Sequence, residues 1–449
     1  MPKLLRQLGA RDATLIVMGG IVGSGIFMNP SVVARHVHSG LGVMAVWAAG
    51  GLVVLLGAGI FAELAARRPH DGGVYAYIGE AFHPVLAFMY GWTLLLVSQS
   101  GGAAAAAVTF ARYFTPLTGW HISAGALAAG AIAFFTFVNA MGVRSGTTTQ
   151  NLLMVLKILA IGGFIVVGLI APPVAPAGSA APFAGGMLAA IGLSLVPVLF
   201  AYSGWQTSSF MTAELKEPHR TLPVGLIAGV VAVVVLYLAV NAVCLRTLGV
   251  QGLAATSTPA SDIARLAFGP MGLRIMAVVI ALSTLGFLSN QILTSPRVYF
   301  QMAADGTFFK ELAWVNPQTH APVVAIVAQG AVALAISFLP YERILNYVTC
   351  IDYIFFGFAA IALIVFRNRD ARDPSAPAPV FRMPGHPVST LIFAAVAWGV
   401  VGDVMFTSPE TIVGIGILLS GVPVYWLFTR GAAAKSRLPS LAARNPRGR

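Results

Sequence analysis

Twelve apolar runs, each close to the roughly 20 residues a helix needs to cross a bilayer, dominate the chain. They cover 13–34, 42–66, 84–113, 122–141, 150–171, 187–211, 223–246, 271–300, 322–339, 344–366, 388–406 and 411–428. Short polar or Pro/Gly-rich stretches separate them, notably Ala171 to Gly186 and Arg367 to Pro387. The pattern predicts an all-α membrane protein with 12 transmembrane helices and no room for a soluble catalytic domain. Two of the runs are interrupted in their middles. Gly19-Gly20-Ile21-Val22-Gly23-Ser24-Gly25 sets four glycines in the first, and Phe200-Ala201-Tyr202-Ser203-Gly204-Trp205 breaks the sixth about 180 residues later. Backbone without helical hydrogen bonds is tolerated at membrane depth only where it lines a cavity or is buried in protein. A pair of interrupted spans at corresponding positions of two halves points to the binding site of a secondary transporter.

These breaks also divide the chain. Residues 13–171 hold spans one to five and residues 186–367 hold spans six to ten, each set opening on a broken helix. An odd number of spans per set turns the second upside down relative to the first, an inverted repeat. Spans eleven and twelve (388–428) are then accessory, flanked by an N-terminal segment (1–12) and a basic tail (429–449). Composition agrees: 57% hydrophobic and 9% charged residues lie far from the usual soluble balance of roughly 45–50% and 25%. The net charge of +12 changes the picture only through its placement. With the N-terminus inside, 20 of the 27 Lys and Arg residues fall on inner segments, six on outer ones, and Lys157 alone inside a span. That is the positive-inside bias. It implies two cytoplasmic termini in a plasma or inner membrane, a tail facing anionic lipid headgroups, and no nucleic-acid partner. The first apolar run is too long for the core of a cleavable signal peptide. Cys244 and Cys350 fall within or at the ends of spans, as buried apolar fillers would.

The broken segments carry the candidate chemistry. A half-helix starting near Gly25 exposes unpaired amides at its positive end, which favours a carboxylate. Gly23 and Gly25 allow close backbone approach, and Ser24 adds a hydroxyl. A break from Phe200 to Ser203 frees carbonyls suited to an ammonium group. A zwitterionic amino acid carries both groups on one carbon. The small-residue run Gly101 to Ala107 on the third span allows close helix contact or room for a substrate side chain. No metal-ligand cluster, nucleophile elbow or phosphate-binding lysine loop is present, so neither enzyme activity nor a cofactor is expected.

The segments IVGSGIFMNP, FAELAARRPHDGGVYAYIGEAFHP and LFAYSGW…TAELKEPHRTLP resemble the amino acid–polyamine–organocation superfamily over residues about 8 to 430. Within it the chain is most similar to the L-type amino acid transporter branch and its bacterial relatives. The resemblance implies a LeuT-like five-plus-five inverted repeat with two further helices, and uptake or exchange of amino acids by alternating access. It places the substrate carboxylate at the amides of Ser24 and Gly25, with Gly23 at the break. The amino group falls at the carbonyls of Ile21, Phe200 and Ala201, and Phe200 stands as an aromatic gate. Ser203 replaces a common glycine and narrows the pocket, and Gln206 replaces a common asparagine at its distal end. The animal light chains carry a cysteine between spans three and four that bonds a heavy chain. The loop from Tyr113 to Trp120 has none, so no such partner is expected.

Lys157 must face the interior, because a lysine in hydrocarbon is costly. The resemblance puts it where sodium-coupled cousins hold sodium, with first-span carbonyls near Gly20 and the hydroxyls of Ser283 or Thr284 as partners. It is expected to brace the closed state and to be a candidate proton carrier. Asp352 in the tenth span is a candidate for proton coupling or for a helix-end hydrogen bond. Glu63 and Glu214 are expected in salt bridges at the inner gate. The resulting expectation is sodium-independent transport, by exchange, of neutral small-to-medium L-amino acids. The rivals are a proton-coupled symporter, a polyamine or cationic amino acid antiporter and, from another class, an amino acid sensor that does not transport.

Overall fold

The structure, a computed structural model, describes residues 4–118, 122–173, 186–339 and 341–436. Part of the loop from Tyr113 to Trp120, most of the break after Ala171 and most of the basic tail therefore lie outside the described residues. The chain is an all-α membrane protein, and its one β-type pairing among the described residues is a single parallel bridge between Leu8 and Leu215. Among the described residues, eight helices are long and apolar enough to span a bilayer, and the bent pair Ala10–Ile21 and Gly25–Val37 makes a ninth. Two of the remaining expected spans coincide with shorter apolar helices, Ala124–Ala140 and Val323–Ile336. The sixth is Gly186–Ala201 followed by a 3-10 helix, Trp205–Glu214.

Both interruptions fall where the glycines predict them, with different local causes. In the first span the amide of Val22 closes the last turn on Met18 O at 2.9 Å. The chain then turns by 49° and re-enters a helix at Gly25. In the sixth span Gly204 takes the left-handed conformation (φ 106°) and the chain continues as 3-10 helix. The two breaks touch. A Cβ on Gly204 would lie 1.9 Å from Gly20 O, and one on Gly20 would lie 2.4 Å from Gly204 O. Glycine at both positions is a packing requirement, since a methyl group cannot enter either gap.

Around this crossing, the seventh span (Pro218–Ala255) lies against the first and second (Gly40–Arg67), and the eighth (Pro270–Thr294) against the third and fifth. The fifth span, Val143–Ile170, shows how lipid and protein faces separate. Leu152, Leu159 and Val166 are exposed, while Gln150, Met154, Lys157, Ile161 and Phe164 are buried at helical spacing on the opposite face. Lys157 is 1% exposed, as its cost in hydrocarbon requires. Trp205 anchors the break in the core with its ring edge-on to Phe61 and tilted against Phe356.

The end that bears the N-terminus is tied shut by charge. Glu63 accepts from Arg67, Arg367 and the Met383 amide, and Asp370 pairs with Arg67 and Arg68. Glu214, fully buried, holds Arg297 through two contacts of 3.1 Å. Both acids are in salt bridges, as their sequence context suggested. Cys244 and Cys350 are free and buried.

Candidate functional site

One cavity lies between the two breaks. Ile21, Gly23, Ser24, Gly25, Phe200, Ala201, Ser203 and Gln206, the positions the sequence singled out, all line it. Its volume of about 80 Å³ accommodates several waters at roughly 10–15 Å³ each, the scale of a small organic molecule. Gly23, Ser24, Gly25, Phe200 and Ser203 are partly exposed.

On one wall, no side chain caps the helix starting at Gly25, and Phe27 is the first residue whose amide reaches a backbone acceptor, Ser24 O at 3.1 Å. The amides of Ser24, Gly25 and Ile26 are left at the positive end of a helix, an arrangement that suits an anion. Gly25 packs against Ala201, where an added Cβ would sit 3.2 Å from the alanine methyl. The opposite carbonyls are less free than a broken helix suggests. Phe200 O accepts the Ser203 amide at 3.1 Å. Tyr237, from the seventh span, places its hydroxyl 3.3 Å from Ile21 O and 3.2 Å from Ala201 O. Each carbonyl keeps a second lone pair for a ligand.

Lys157 does not line the cavity but stands behind the break. Its Nζ donates to Val22 O at 2.6 Å, and Ser283 donates to Gly23 O at 2.9 Å. The acceptor is a first-span carbonyl near Gly20, as expected, and the Gly20 carbonyl itself faces Gly204. Of the two hydroxyls expected beside Lys157, Ser283 bonds Gly23 O instead, and Thr284 turns away from the lysine. That threonine faces the cavity, and its hydroxyl bonds back to Ile280 O and Ala281 O of its own helix. Gly286 makes room for the lysine: a Cβ there would sit 2.3 Å from Lys157 Cε.

Asp352 reaches the cavity from the tenth span and accepts from Ser98. Ser98 ends a π-helical turn, Leu94–Ser98, inside the third span, a distortion frequent at functional sites. The broken segments contribute no acid, yet the cavity has one. Gly102, Ala105 and Ala106 line the cavity while Ala103, Ala104 and Ala107 are buried in helix contacts, so the small-residue run serves both roles. Gln99, Thr109, Phe287, Gln291 and Val348 also line it and escaped the sequence reading. Only their membership of membrane spans was visible. Tyr237 and Gly286 were missed for the same reason, since their partners lie on other helices.

An all-α bundle whose two broken spans enclose a cavity at their crossing has the architecture of a membrane transporter. The chain matches the amino acid permease family over residues 8–439 and belongs to it. It is 29% identical to the large neutral amino acids transporter small subunit 2 of Oryctolagus cuniculus over 94% of this chain and 80% of that protein. It is 28% identical to the b(0,+)-type amino acid transporter 1 of Mus musculus, over 83% and 78%. The serine/threonine exchanger SteT of Bacillus subtilis is 28% identical over 94% of this chain and 97% of that protein. The protein is a multi-pass membrane transporter of amino acids.

Proposed function

We propose that the protein exchanges neutral, small-to-medium L-amino acids across the membrane by alternating access, without sodium. The observation that carries this reading is the single cavity bounded by both breaks, with uncapped amides at Ser24 to Ile26 on one wall and carbonyls on the other. The substrate carboxylate meets those amides, and its ammonium meets Ile21, Phe200 and Ala201 carbonyls at their open lone pairs. Phe200 closes over the ligand, Gly23 and Gly25 keep the approach clear, and Ser203 and Gln206 bound the side-chain pocket. The small volume supports substrates on the scale of serine or alanine. The relatives named as an exchanger and as a neutral amino acid transporter support the same class.

Lys157 supports sodium independence, because its amino group donates to the Val22 carbonyl at the break, with Ser283 holding the next one. The five-plus-five inverted repeat gives the two breaks their equivalent places, and the charge bias sets the ionic closure at the cytoplasmic face of a plasma or inner membrane. Ligand drives the cycle by binding an occluded state better than either open one. Both cysteines are buried, which supports function without a disulfide-linked heavy chain. The test is uptake of labelled serine, alanine, leucine and arginine into vesicles loaded with unlabelled neutral amino acids or left empty. Uptake that needs internal amino acid and ignores a proton gradient establishes exchange. Binding with no accumulation of label identifies a sensor instead.

Asp352 favours one second reading, proton-coupled symport, since it places a carboxyl in the cavity against Ser98. Uptake into empty vesicles that rises with an inward proton gradient, and loses that rise in Asp352→Asn, would select it.

A further inference from the structure

A second pocket lies at the basic end, outside the transport cavity. Arg6 reaches it from the N-terminal segment, Arg144 from the start of the fifth span, and Lys216 from the link after the sixth. None of these three cations is ion-paired among the described residues. One acid lines the pocket, Asp12, and its oxygens are already engaged by the Gly9 amide at 2.9 Å and Asn151 Nδ2 at 2.8 Å. A further acid, Asp71, lies near Arg6. Burial pushes its carboxyl up, and the Arg6 charge opposes that shift. Two helices also begin here, at Ala10 and Val143, with their positive ends at the pocket. Among the lining residues, Thr147 is 4% exposed, and its hydroxyl has no partner among the described residues. Buried polar atoms are normally satisfied, and an anion's oxygen would satisfy the Thr147 hydroxyl beside the three cations.

We propose that the pocket binds a phosphate-bearing anion, the phosphate of a lipid headgroup or inorganic phosphate, and that the bound anion holds this end of the transporter shut. A tetrahedral oxyanion offers acceptors to Arg6, Arg144 and Lys216 together, and an oxygen to the Thr147 hydroxyl. Basic pockets between helices on the inner side of membrane proteins suit such headgroups. The three cations sit on three separate elements, so an anion between them ties those elements to one another. The same junction carries the backbone closure: Gln7 and Leu8 amides donate to Glu214 O at 2.9 Å, and the Lys216 amide donates to Leu8 O at 2.8 Å. Opening this end separates the cations and releases the anion. By linkage, the anion favours the closed arrangement.

The test uses the full-length protein in phosphatidylcholine nanodiscs, with thermal unfolding as the readout. Two arms are run: replacing roughly a fifth of the lipid by phosphatidylglycerol, and adding inorganic phosphate to the neutral discs. The wild type should gain about 2 °C or more in Tm in at least one arm. A gain with phosphatidylglycerol alone assigns the lipid headgroup, and a gain with phosphate alone assigns the free anion. Arg144→Gln with Lys216→Gln should abolish the gain, and Arg144→Gln alone should reduce it if the double variant does not purify. Lys310→Gln with Arg372→Gln, two exposed cations elsewhere on the chain, should keep it. A wild type unmoved in both arms, or a gain undiminished in the Arg144 variants, overturns the proposal.

Discussion

The two broken spans solve one problem in different ways. The first is held from outside: the carbonyls of Ile21, Val22 and Gly23 are engaged by Tyr237, Lys157 and Ser283, from the seventh, fifth and eighth spans. The sixth is held from outside before its break, by Tyr237 on Ala201 O and Tyr353 on Leu199 O, and by itself after it. After Gly204 its 3-10 segment is knitted by its own hydroxyls, Thr207 to Gly204 O, Ser209 to Gln206 O and Thr212 to Ser209 O, at 2.6 to 2.9 Å. A segment whose backbone depends on donors from three other helices changes shape when any of them moves. One that bonds within itself moves as a unit. The first break should therefore be the more adjustable wall of the cavity and the 3-10 segment after Gly204 the firmer one, and the two meet at the glycine contact between Gly20 and Gly204.

The harshest way to break this comparison is at the glycine contact. Gly204→Ala forces a methyl into Gly20 O at a left-handed backbone position. Strain and overpacking together cost on the order of 3 kcal/mol or more, and folded yield after detergent extraction should collapse. Lys157→Ala comes next. It removes a charged donor whose hydrogen bond is worth about 1.5–3 kcal/mol, so exchange should fall roughly 10- to 100-fold with the protein still folded. Gly286→Ala sharpens the same point without touching the charge. Its Cβ displaces the lysine chain by steric contact, and exchange should fall about 10-fold, by loss of roughly one well-placed hydrogen bond. Ser283→Ala is the mildest. It deletes a neutral hydrogen bond to Gly23 O, worth about 0.5–1.5 kcal/mol, and a several-fold drop in exchange is expected. A reversed order, with Ser283→Ala worse than Lys157→Ala, would mean that the charge is not what braces the first break.

The amphipathic and apolar patterns made most of the architecture legible, because a membrane span announces itself by length and a broken one by glycine at mid-depth. Residues whose role is local were legible too: Gly23, Ser24 and Gly25 shape their own backbone, and all of them reach the cavity. Lys157 was legible through its cost in hydrocarbon alone, which says that it has a partner but not which. Its acceptor is Val22 among the first-span carbonyls near Gly20. Tyr237 and Gly286 were illegible, because a tyrosine or a glycine in an apolar helix has many roles and only the facing helix selects one. The π-helical turn that delivers Ser98 to Asp352 was likewise invisible, as one extra residue in a turn leaves the hydrophobic pattern almost unchanged.

The most direct measurement is exchange of labelled serine into serine-loaded vesicles, in sodium and in choline buffers, for the wild type and Lys157→Ala. The wild type should exchange at one rate in both buffers, and Lys157→Ala should lose at least about 10-fold in choline. A wild type that needs sodium, or a Lys157→Ala that exchanges at the wild-type rate, would contradict the claim that this ammonium braces the first break.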